Sequence, residues 1–154
     1  MSEKSDKRGK SAPALADWPS GPSGWLHAFG SFDHAQAFST LFWPGFITHD
    51  GCTFLDFDEK LYADWLVNLK GDKTAVEAMM NHRHICDLLP EPSAERKPTR
   101  EQVLFVGRVL KEMWSCKLRR DFPAKHFTVS FPEDYNEDLV DYEISFFHNP
   151  NREA

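Results

Sequence analysis

Apolar and polar residues follow two different periods along this chain, and the changes between them mark its elements. From Asp33 to Phe42, Ala35, Phe38, Leu41 and Phe42 share one side of a helix that Asp33 can cap, and Pro44 ends it. A hairpin signal follows. Asp50-Gly51 is a favoured type I′ pair, because both central residues need positive φ. Pairing across it sets His49 opposite Cys52, Thr48 opposite Thr53, Ile47 opposite Phe54 and Phe46 opposite Leu55. Apolar residues then fall on both faces, so this hairpin is expected to be covered on both sides.

Asp58 is placed to cap a second helix, whose stripe is Leu61, Tyr62, Trp65, Leu66 and Leu69, with Gly71 at its end. Asp72 caps a third, with Val76, Met79 and Met80 inward. The next apolar set is Ile85, Leu88 and Leu89. At about 100° per residue, the step from Val76 to Ile85 carries the stripe to the opposite side. A continuous helix would aim one stripe at water, so a break is predicted within Asn81-His82-Arg83-His84. Residues 90–98, PEPSAERKP, form a polar loop with three prolines. Thr99 and Gln102 match the capping box of a long helix running to about Arg120. Val103, Val106, Leu110, Met113 and Trp114 face inward, and Arg108, Lys111, Glu112, Ser115 and Arg119 face water. Gly107 on the inner face predicts close approach of a neighbouring element.

Alternation returns at Phe127, Val129 and Phe131 and at Val140, Tyr142, Ile144 and Phe146, a second hairpin. The register that opposes Phe127 with Ile144, Val129 with Tyr142 and Phe131 with Val140 gives one apolar and one polar face. In that register Asp141 and Glu143 point to solvent. The predicted fold class is α+β: a mostly antiparallel sheet of two hairpins, with helices packed on one face. Residues 1–24, rich in Pro, Gly, Ser and charge, are expected to be a disordered tail, and 25–150 a single domain.

Composition narrows the class of protein. The chain has 154 residues, of which 14% are aromatic, too many for a disordered chain. The net charge is −6, and Lys4, Lys7, Arg8 and Lys10 against Glu3 and Asp6 leave a tail of +2 and a remainder of −8. An acidic body argues against phosphate-backbone binding, so nucleic acid is not the expected partner. Three cysteines, Cys52, Cys86 and Cys116, without a CxxC, point to reduced thiols in a cytoplasmic protein. No apolar run is long enough to span a membrane, and the N-terminus has no apolar core of a secretory signal.

Four constellations could carry chemistry. His82, His84, Cys86 and Asp87 are metal-ligand types crowded into one short span. On a strand His82, His84 and Cys86 share a face, whereas on a helix His82 stacks on Cys86. Further ligands would come from His49, Asp50, His126 or His148. His49 opposite Cys52 has the composition of a nucleophile and its base. Glu133, Asp134, Glu137, Asp138, Asp141 and Glu143 form an acidic span without the D-x-[DN]-x-[DN]-G pattern of a calcium loop. Trp25, Phe29, Phe32, Phe38, Phe42, Trp43 and Phe46 concentrate aromatic surface. No phosphate loop, nucleophile elbow or dinucleotide fingerprint occurs, and no cofactor is expected.

These features rank three functions. The first is a non-catalytic module that binds a basic protein partner through Glu137, Asp138, Asp141 and Glu143. The second is a small metal-dependent hydrolase centred on His82, His84 and Asp87. The third is a small-molecule binder with a pocket lined by the N-terminal aromatics.

Overall fold

The computed structural model describes residues 15–89, 97–134 and 138–149. The chain divides between Phe38 and Ser39 into two compact units. In the first, a 3-10 turn at Leu15–Asp17 precedes helix α1, Gly21–Phe29, which has proline in its first turn, where the missing N–H costs nothing. Phe29 packs edge-on against Trp18 at 5.1 Å and near Trp25 at 5.4 Å between ring centroids. Helix α1 therefore runs across position 24, where the sequence placed the end of a tail; residues 1–14 lie outside the described residues. Helix α2, Phe32–Phe42, is capped by Ser31, whose Oγ accepts from His34 N at 3.1 Å. Asp33, the expected cap, instead sits in the first turn, where its charge suits the dipole.

The second unit is α+β, with two small antiparallel sheets. Strands β1, Ile47–His49, and β2, Cys52–Phe54, form the predicted hairpin in the predicted register, with φ of 50° at Asp50 and 84° at Gly51. Strand β2 is buried throughout, while Ile47 and Thr48 on β1 are exposed, so only one strand is covered on both faces. Helix α3, Glu59–Asn68, takes its cap from Asp58, and α4, Lys73–Met80, from Asp72. Leu61 and Met79 face water, against expectation, because each lies at the edge of its stripe.

The chain breaks as predicted after Met80. Residues Arg83–His84 form a two-residue strand, β3, and Ile85–Leu88 a single helical turn, α5. Helix α6, Arg100–Asp121, starts with the complete Thr99–Gln102 capping box. The Phe131 ring lies against Gly107, where a Cβ would stand 2.1 Å from the ring edge, so this helix position cannot carry a side chain without displacing Phe131. Strands β4, Phe127–Ser130, and β5, Glu143–His148, complete the second sheet in the order β3-β5-β4.

Two expectations about the sheets are corrected. The hairpins belong to separate sheets rather than one. The β4–β5 register opposes Phe127 with His148 and Val129 with Phe146, four positions from the predicted one. A shift by an even number leaves every side chain on its face, so alternation cannot distinguish the two registers. Residues Leu139–Asp141 form a 3-10 turn instead of strand, which leaves Val140 exposed.

The larger core gathers Ile85, Val103, Leu110, Trp114, Leu118, Phe131, Tyr142, Ile144 and Phe146. The smaller gathers Cys52, Phe54, Tyr62, Val76 and Met80. Glu77 of α4 and Asn81, the residue that caps its C-terminus, tie the sheets together. Glu77 accepts from Thr53 N on β2 at 2.6 Å and from His148 N on β5. Asn81 accepts from Leu55 N at 3.0 Å and donates to Thr53 O at 2.8 Å and Phe146 O at 3.2 Å. Their side chains thus satisfy the backbone edges of two strands that do not pair with each other.

Candidate metal centre

The anchoring of Asn81 determines where the next residues go. It is the C-cap of α4, and its side chain pins that point to both sheets. The chain leaves the helix extended, so His82 and His84 project to one side, with ring centroids 4.7 Å apart. Arg83 turns to the other side, donates to Met80 O and His82 O, and pairs with Asp56 at 2.7 Å. It thereby satisfies carbonyls freed where the helix stops.

β3 then pairs with β5, and the register places His84 opposite Glu143. The Glu143 carboxylate reaches both rings: Oε2 is 3.0 Å from His82 Nε2, and Oε1 is 3.5 Å from His84 Nδ1. One donor atom from each of His82, His84 and Glu143 lies within 4.8 Å of the others. The three side chains are partly exposed, at 29%, 38% and 45%.

Two details concern the imidazoles. His82 Nε2 is itself shielded from solvent and makes no aligned hydrogen bond, although Glu143 Oε2 stands beside it. His84 Nδ1 lies 2.8 Å from Val140 O. A carbonyl only accepts, so Nδ1 carries the hydrogen and Nε2 of the neutral ring carries the lone pair. Metal-ligating histidines usually have this arrangement, donating one ring N–H to a carbonyl and using the other nitrogen as ligand. In a tetrahedral zinc site with bonds of about 2.0–2.1 Å the ligand atoms stand about 3.3 Å apart. The His82 Nε2–Glu143 Oε2 separation of 3.0 Å is near that value, whereas the His84 nitrogen 3.5 Å from Glu143 is Nδ1, which also lies 2.8 Å from Val140 O.

The other predicted residues lie elsewhere. Asp87 is exposed on α5 and is outside the cluster; Glu143 takes the place the sequence gave it. Cys86 donates its thiol to Leu139 O at 3.5 Å, and burial pushes that thiol up. Of the acidic span, Glu137 lies outside the described residues, and Asp138 caps the 3-10 turn by accepting from Val140 N. Asp141 is exposed, Glu143 is engaged with the histidines, and Glu133 is held by Lys111 and Arg108, which lower its carboxyl below the usual range. Only part of the span is left as a bare acidic face.

The His49–Cys52 pair is opposed in the hairpin but does not form a dyad. The His49 ring packs on Phe57 and Tyr62, at 4.4 and 5.0 Å between centroids. The Cys52 thiol faces Lys73 O, and burial and the Glu77 charge push it up, away from the thiolate. Asp50, between them, bonds Tyr62 and Lys73, which hold its carboxyl low. Of the aromatics, Phe42 and Phe46 pack against the larger core, and Trp25 and Phe29 belong to the first unit.

The sequence missed Glu143 because its assumed register paired that residue with Thr128 on β4. The usable signal was that β5 has two edges, and that a break at 81–84 delivers an extended segment able to pair with the second. Among the described residues no helix is long and apolar enough to cross a membrane. No protein-family model matches this chain, and neither the curated proteins nor the solved structures contain a match to it.

Proposed function

We propose that this protein binds a divalent metal ion of the zinc class through His82, His84 and Glu143, and that the ion serves a hydrolytic reaction. The observation that carries the reading is the convergence of three ligand-type donors, His84 on β3, His82 just before it and Glu143 on β5. Two imidazoles and one carboxylate are borderline ligands suited to zinc and its first-row neighbours. Three protein ligands leave a fourth position for water, the pattern of catalytic rather than closed structural sites. Such an ion lowers the pKa of its bound water toward neutrality, which supplies a hydroxide nucleophile. His84, oriented by Val140 O, and Glu143, fixed by the β3–β5 pairing, are held in place by backbone contacts.

The test is a zinc titration of metal-free protein by calorimetry near pH 7.5, with elemental analysis of the protein as purified. One equivalent is expected to bind, and His84→Ala and Glu143→Gln are each expected to weaken it at least tenfold, whereas Asp87→Asn leaves it unchanged. Absence of binding, or binding indifferent to His84 and Glu143, would overturn the reading.

A further inference from the structure

The helices of the first unit are short of burial. None of the residues of α1 and α2 is buried, and every residue from Phe32 to Thr40 is exposed. Trp18, Trp25 and Phe29 form the one ring cluster around α1. Outside it stand Leu15, Leu26, Phe32 and Phe38, with Phe32 95% and Leu26 60% exposed. Phe32, Ala35 and Phe38 recur at three-residue steps, which keeps them within about 120° of one another around α2, while Asp33 lies toward the other side. Isolated helices of 9 and 11 residues are marginal in water, because helical stability comes mostly from packing an apolar face.

Charge narrows what could cover this face. The chain's 18 Lys and Arg all lie outside residues 11–59, and residues 15–38 carry only Asp17 and Asp33. A surface made for water is about a quarter to a third charged. Aromatic enrichment with depletion of Lys and Glu is instead the composition of the centre of a protein interface. The same composition discriminates among occupants. An anionic bilayer is attracted by Lys and Arg on the polar face of a helix, and this surface offers two carboxylates in their place. A partner selected by charge finds almost none to complement. A second copy brings an aromatic face of equal extent, equally poor in charge, in the self-complementary contact of a two-fold dimer.

We propose that α1 and α2 form a homodimer interface, in which Leu26, Phe32 and Phe38 of one copy pack against the same face of the other. The proposal is independent of the metal reading, whose residues lie in the second unit.

Sedimentation velocity of the full chain from about 1 to 100 µM is expected to show a monomer–dimer equilibrium governed by mass action. Phe32→Ser and Leu26→Ser are each expected to raise the dissociation constant at least tenfold. Neither change removes a buried contact, so the thermal melt at the lowest concentration should match wild type. Phe105→Ser, which removes a phenyl 69% exposed on α6 in the second unit, should leave the constant within twofold. Raising NaCl from about 50 to 500 mM should weaken the dimer by less than threefold, because no charge pair holds it. A monomer at every concentration, a dimer indifferent to Phe32→Ser and Leu26→Ser, or a dimer dispersed by salt would overturn the proposal. Retention of the monomer on phosphatidylcholine vesicles, lost in Phe32→Ser, would also overturn it and assign the face to lipid.

Discussion

Asn81 and His82 are neighbours in sequence, yet they belong to two polar clusters with opposite properties. Glu77 and Asn81 are 1% and 0% exposed, and their side chains are bonded to backbone groups of β2, β5 and the segment after β2. His82, His84 and Glu143 are partly exposed and share one carboxylate between two rings, with one ring nitrogen left without an aligned bond. A buried polar group is tolerated only when it is bonded, so the first cluster is saturated and its residues hold the fold. A group at the surface can exchange its partner for an ion at little cost, so the second is where chemistry can be acquired. Bonding state and access, rather than residue type, separate the two.

The largest test of this contrast is Asn81→Ala. It leaves Leu55 N, Thr53 O and Phe146 O without their partner in a dry setting, and a loss of about 3–5 kcal/mol is expected by urea unfolding. A loss below about 1 kcal/mol would mean that the sheets do not depend on the α4 link.

Next in size is the effect of zinc. At 100 times its dissociation constant a ligand that binds only the native state adds about 2.7 kcal/mol. For a chain of this length that raises Tm by about 5–10 °C in a thermal melt, and the rise should vanish in His84→Ala.

Glu77→Gln probes the buried cluster by pH. Burial raises the Glu77 carboxyl above its ordinary 4.5, against the opposing pull of the His148 and Thr53 amides. The folded state therefore holds this proton more tightly than the unfolded chain. The stability linked to Glu77 is fully present below about 4.5 and is lost as pH rises through the raised value. Urea unfolding between pH 4 and 7 should show that slope in the wild type and not in Glu77→Gln. The variant should also lose about 1–2 kcal/mol, because its amide group meets a backbone N–H where an oxygen had accepted.

The smallest expected changes are at the exposed cluster and the acidic span. His82→Ala in metal-free protein should shift stability by less than about 1 kcal/mol, and Asp141→Lys by less than about 0.5 kcal/mol. A large loss in metal-free His82→Ala would move the histidines into the structural class and collapse the comparison.

Much of this was legible before any coordinates. The Asp50-Gly51 hairpin, the Asp58, Asp72 and Thr99 caps, the break after Met80 and the close approach at Gly107 all follow from φ preference, side-chain hydrogen bonding and stripe rotation. Each depends on a few neighbouring residues, so the sequence by itself determined them. His82 and His84 were identified as ligand types on the same grounds, and the break put them on one face. Their partner was another matter. Glu143 is 59 positions beyond His84, and the two meet only because β3 takes the second edge of β5. The β4–β5 register, the division into two sheets and the use of Glu77 and Asn81 as strand-edge partners were likewise decided by tertiary structure. Even shifts along a strand conserve its faces, so local alternation is degenerate among them. That degeneracy is lifted only when distant segments compete for the same backbone edge, and here the outcome of that competition brought His82, His84 and Glu143 together.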